Sequence, residues 1–183
     1  MQTFLPYPDF LASAAVLDAR RLGKQRVEAI QVLRAITLPT YGWRHHPAAK
    51  MWRGYQEALV RYGLDICGVW CATGRADTCA KTLVTDLGTD AVRTQAELAE
   101  AGEVPPWLGD PDLHRSHRSS LLRKDPEHYR EAFTGVPVDV PYVWPVSDRP
   151  GRFTEDPAAG RGLSRAGTPV AGRLTRPAGG SRS

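Results

Sequence analysis

The stretch RRLGKQRVEAIQ, residues 20–31, sets the cations Arg20, Arg21, Lys24 and Arg26 around a single carboxylate, Glu28. Helical spacings of three and four residues project Arg21, Lys24, Gln25 and Glu28 from one face. Cations in that pattern bind phosphate oxygens, and an acid among them can move a proton or stabilise a developing positive charge. The same spacing also builds an ordinary exposed salt bridge between Lys24 and Glu28, so the pattern by itself does not make Glu28 catalytic.

A second group lies in GWRHHPAAKMWRGY, where His45 and His46 precede a helix that Pro47 can open, with Arg44 and Lys50 adding charge. One histidine suits capping or packing and the other a phosphate or base contact. Adjacent histidines point apart and no further ligand stands at metal spacing, so no metal site is expected. The third group is LHRSHRSSLLRKDPEHY. His114, His117, Arg118 and Leu121 share one side of a helix, and Arg123 and Lys124 close it where the helix dipole favours cations. It reads as a phosphate-binding face or as a solvated basic one. Tyr142 and Trp144, in a proline-bounded segment, either stack on a base or pin that segment to the core. Cys67, Cys71 and Cys79 lack paired CxxC spacing and read as reduced, buried thiols.

These residues need helices to hold them. Asp9 and Asp18 are N-caps for a short helix through FLASAAVL and a longer one to about Ile36, whose Leu22, Ala29, Leu33 and Ile36 face a core. Gly23 marks a break there or a close approach by another backbone. One helix is expected from Pro47 to Tyr62, closed by Gly63, and shorter ones in DICGVWCAT, ADTCAKTLVTDL and DAVRTQAELAEA. Asp110-Pro111 and Asp125-Pro126 each pair a capping acid with a first-turn proline, ahead of LHRSHRSSLLRK and EHYREAF. No strand pattern intervenes. The fold class is all-α: a single-domain helical bundle, residues 1–146, with an extended N-terminal segment.

From Ser147 the chain turns to Gly, Pro, Arg and Ser, a composition that cannot repay the entropy of ordering, so residues 147–183 are expected to be a disordered tail. A net charge of +4 favours an anionic partner such as nucleic acid. The opening MQTFLPYPDF has neither the basic start nor the apolar run of a signal peptide, and no segment has the length to span a bilayer. A cytoplasmic location, no membrane and no obligate protein partner are the corresponding expectations.

The order of an extended start, a helix bearing basic residues and a glutamate, and GWRHHP followed by MWRGYQEALVRYG resembles the pyrimidine-dimer DNA glycosylase family. SHRSSLLRKDPEHY and PYVWP are similar to a bacterial branch of it, and the resemblance runs from about Met1 to Pro145. It implies an all-α, cofactor-free DNA glycosylase with AP lyase activity on double-stranded DNA. In that chemistry an N-terminal amine attacks the deoxyribose C1′, expels the base and forms an imine, while a glutamate stabilises the cationic sugar and moves protons. Free α-amines have a pKa of about 7.7–8.0, so a neutral, nucleophilic fraction exists near neutral pH.

Counting back from HHP puts Glu28 at the family glutamate; counting forward from LDARRLG gives Val27 or Gln25. Glu28 is taken, as the only acid of its helix after Asp18. The bulk of Gln2 should leave Met1 in place, so the resemblance makes Met1 and Glu28 the catalytic pair. The implied DNA contacts are Arg21, Lys24, Gln25, Arg26, His45, His46, His117, Arg118, Arg123 and Lys124. The alternative is a nucleic-acid-binding protein that keeps the fold and basic face without catalysis.

Overall fold

Asp18 accepts from the Arg21 amide and starts the central helix, α2 (Ala19–Thr37), whose stripe of Leu22, Ala29, Leu33 and Ile36 is buried along its length. Burying a Leu or Ile side chain contributes roughly 1.5–3 kcal/mol, so this stripe fixes which way α2 faces. A computed structural model describes residues 1–89 and 91–150, and among them all regular structure is helical. The other helices are α1 (Phe10–Ala15), α3 (Pro47–Trp52), α4 (Gln56–Ala72), α5 (Cys79–Leu87), α6 (Gln95–Glu100), α7 (Pro111–Lys124) and α8 (Pro126–Tyr129). Helix α2 packs on α3, α4 and α5, α1 lies on α4, and α7 joins α8.

Two glycines set the geometry around α4. The expected helix from Pro47 to Tyr62 is two helices, because Gly54 adopts φ +77°, a left-handed turn that ends α3. Gly63 does not close a helix; it lies inside α4, facing Leu83 of α5 and Ala29 of α2. A Cβ there would stand 2.6 Å from Leu83 Cδ1 and 3.1 Å from the Ala29 Cβ, so α2, α4 and α5 meet at this point only without a side chain. Gly23 makes no break in α2 either. What approaches it is the Trp70 ring, 3.0 Å from where a Cβ would be, and not another backbone.

Helix α6 is shorter than DAVRTQAELAEA suggested. Thr94 and Glu97 form a capping box that starts it, while the Arg93 amide and guanidinium are held by Glu57. Helix α8 is a single turn, and Asp125 ends α7 as it caps α8. Among the cysteines Cys67 is buried, but Cys71 is exposed and Cys79 half-buried, so the expectation of three buried thiols fails for Cys71.

Residues 137–146 run extended across α7 as a strap. The Val140 amide donates to Ser119 Oγ at 3.0 Å and the Val143 amide to Ser116 Oγ at 3.2 Å, with Ser120 bonded to the Tyr142 hydroxyl. The contacts continue past the 146/147 boundary drawn from composition: Ser147 donates to the Arg53 carbonyl, and the Tyr55 hydroxyl donates to Asp148 at 2.7 Å. The rest of the expected tail, residues 151–183, lies outside the described residues.

Candidate active site

Residues 2–6 form an extended segment, and among the described residues no strand pairs with it, so side chains must satisfy its backbone. The Phe4 amide donates to Gln25 Oε1 at 2.9 Å, and the Tyr62 hydroxyl, 3.1 Å from the Phe4 carbonyl, donates to the same Oε1 at 2.7 Å. The Leu5 amide donates to His117 Nδ1 at 2.8 Å, and the Leu5 carbonyl accepts from His114 Nδ1 at 2.8 Å. Arg118 donates to the Pro6 carbonyl at 2.9 Å, and the Trp52 indole donates to Thr3 Oγ1 at 2.9 Å. Helices α2, α3, α4 and α7 therefore hold the start of the chain from several sides.

This grip brings the Met1 α-nitrogen to 3.5 Å from Glu28 Oε1, with both side chains almost fully buried. Gln25 Nε2 donates to Glu28 Oε2 at 2.5 Å, and Lys24 Nζ lies 3.5 Å from Oε1. The exposed salt bridge suggested by the spacing is thus present, yet Glu28 itself is only 4 % exposed and faces the amine as well. The pair opens on a cleft of about 470 Å³ whose walls include Phe4, His46, Tyr142 and Trp144, and whose cations are Arg20, Arg21, Lys24 and Lys124.

His46 caps α3 by accepting from the Ala48 amide at 3.1 Å, and its ring stands edge-on to Trp43 and Trp144. Burial and then the positive N-terminus push its pKa below the ordinary histidine value, against an opposing pull from Glu28. A comparable cleft of about 510 Å³ lies beside Tyr55, Glu57 and Glu103, but there Arg149 is bonded to Glu103 and Glu57 to Arg93. Among the described residues no group of three His, Cys, Asp or Glu side chains could hold a metal ion.

Several residues expected at a DNA surface do other work. Gln25 is fully buried and His117 is fully buried; both hold the N-terminal segment. Burial pulls the His117 pKa down to about 3, so the ring is neutral and out of reach of a phosphate. Arg118 clamps Pro6, and Arg123 donates to the Val138 carbonyl of the strap at 2.9 Å. Arg21 is paired with Asp18 and Asp125. Arg26 is paired with Asp77 at 2.6 Å and stacked 4.1 Å over Trp70. His45 is exposed, its Nε2 accepting from Arg44 at 3.0 Å. Lys24, His46 and Lys124 face the cleft, which Arg21 and Gln25 also line.

Sequence reasoning left Arg20 and Gln2 out of the site. Arg20 stands beside Arg21 in the same basic run, and both line the cleft, Arg20 exposed and Arg21 held by Asp18 and Asp125. Gln2 offered no pattern at all.

Residues 1–83 match the pyrimidine dimer DNA glycosylase family. The match spans the N-terminal segment, α1 to α4 and the start of α5, and so includes Met1, Gln25, Glu28 and His46. It agrees with the resemblance read from the residues. Beyond the family match lie His114, His117 and Arg118, which anchor the segment, and Lys124, Tyr142 and Trp144, which complete the cleft. Neither the search of curated proteins nor that of solved structures returned a match.

Proposed function

We propose that this chain is a DNA glycosylase with AP lyase activity, acting on damaged pyrimidines in double-stranded DNA through an imine on the Met1 α-amine. The observation that carries the reading is the 3.5 Å approach of that amine to a buried carboxylate inside a cleft rimmed by cations. The amine attacks C1′, the glycosidic bond breaks with its electron pair leaving on the base, and the sugar opens to the imine. Glu28 takes the proton that the amine loses, stabilises the cationic sugar, and serves the subsequent β-elimination that cuts the strand.

Arg20, Lys24 and Lys124 are exposed at the cleft and suit phosphates flanking the damaged nucleotide. A pyrimidine must leave the helix stack to reach the amine, and Tyr142 and Trp144 offer apolar walls to receive it. The chemistry needs no cofactor, and DNA is the partner it requires.

The test is incubation with duplex DNA carrying an abasic site under borohydride, which reduces an imine to a stable amine. A covalent protein–DNA adduct, lost when the α-amine is acetylated beforehand, is the expected result. Salt-sensitive duplex binding without adduct or strand cleavage would instead select a non-catalytic binding protein.

A further inference from the structure

His46 has one nitrogen committed and one free. Nδ1 accepts from the Ala48 amide, so in the neutral ring the proton must sit on Nε2. Among the described residues no hydrogen bond is made from Nε2. The ring is fixed between Trp43, at 5.7 Å, and Trp144, at 6.0 Å, both edge-on, and it lines the same cleft as Met1 and Glu28. Burial first, and then the positive amine, oppose a second proton on the ring against a pull from Glu28, which leaves a neutral N–H donor in the cleft that holds the nucleophile.

We propose that His46 is a third catalytic residue, whose Nε2–H donates to a carbonyl oxygen of the departing pyrimidine. This rests on the glycosylase reading and adds the group that acts on the leaving base. As the amine–C1′ bond forms and the C1′–N1 bond breaks, the electron pair moves onto the pyrimidine, and its negative charge spreads to the carbonyl oxygens. A fixed donor aimed at one of those oxygens stabilises the transition state more than the neutral base. The proton released by the alkylated amine goes to Glu28, and the pyrimidine anion takes up one proton from water, so charge and protons balance. Capping and catalysis use opposite edges of one ring: the bond to Ala48 fixes both the tautomer and the direction of the free N–H.

Two substrates separate this role from a structural one. An abasic-site duplex has no base to expel and needs only Met1 and Glu28, whereas ultraviolet-irradiated duplex needs the base to leave. In His46→Asn the replacement is a preferred N-cap that lacks the donor at this reach. The expected result is glycosidic cleavage in irradiated duplex slowed by about 100-fold more than borohydride trapping on abasic DNA. His46→Ser, also a capping residue, should behave alike. Glycosidic cleavage unchanged in both variants, or cleavage and trapping falling by the same factor, overturns the proposal. A parent chain that traps no abasic DNA overturns the glycosylase reading, and this inference with it.

Discussion

Glu28 touches Met1, Lys24 and Gln25, and its neighbours identify the work it can do. A pure salt bridge would need only Lys24, which is 70 % exposed and contributes little against solvent screening. Gln25 instead spends its whole amide on position: Oε1 accepts from Phe4 and Tyr62, and Nε2 holds the carboxylate. Glu28→Gln keeps the shape and removes the charge. Imine trapping and strand cleavage should fall by about 100- to 10,000-fold while the melting temperature stays close to the parent's. An undiminished rate would return Glu28 to a structural role.

At the scale of elements, the packing of α2, α4 and α5 depends on the missing side chain at position 63. Gly63→Ala pushes a methyl group between Ala29 and Leu83, and should cost about 1–3 kcal/mol in denaturant unfolding without altering the amine–carboxylate chemistry of the folded fraction. A neutral or stabilising effect would contradict the close crossing.

What the sequence made legible here was local. Asp9, Asp18, Asp110-Pro111 and Asp125-Pro126 all start helices where expected, since a cap and its amide lie within three residues of each other. The pairing of Met1 with Glu28 was legible through family likeness. What stayed hidden depends on distant partners: the turn at Gly54 packs against Arg149, and the burial of His117 exists because Leu5 lies over it. Arg26 read as a free cation because Asp77, which pairs with it, is remote in sequence, whereas the nearer partner of Arg21, Asp18, stood three residues away and was read only as a cap.

For the whole molecule, acid is the natural stress. His117 is held near pKa 3 by burial, while an unfolded histidine titrates near about 6.5. Below that unfolded value the unfolded chain binds a proton that the folded chain refuses, so stability is complete above about pH 6.5 and drains as pH falls toward 3. His114, lowered by burial against its bond to Leu5, adds in the same direction. Melting temperature should drop across this window, and His117→Gln should flatten the slope; an unchanged slope would contradict the burial of a neutral ring.

Since both histidines grip the N-terminal segment, acid should release the amine as the fold loosens. At neutral pH, DNA affinity should fall with salt by about 0.9 logarithmic units per decade for each phosphate bound. Lys124→Ala, removing one exposed cleft cation, should reduce that slope by about the same amount. No change would mean the duplex lies elsewhere.

Peptide mapping of the borohydride-reduced adduct by tandem mass spectrometry identifies the nitrogen that forms the imine. The expected product carries a reduced deoxyribose remnant on the α-nitrogen of Met1. A remnant on a lysine Nζ, Lys24 or Lys124 above all, or no remnant in a protein that still cuts abasic DNA, would contradict an imine on Met1.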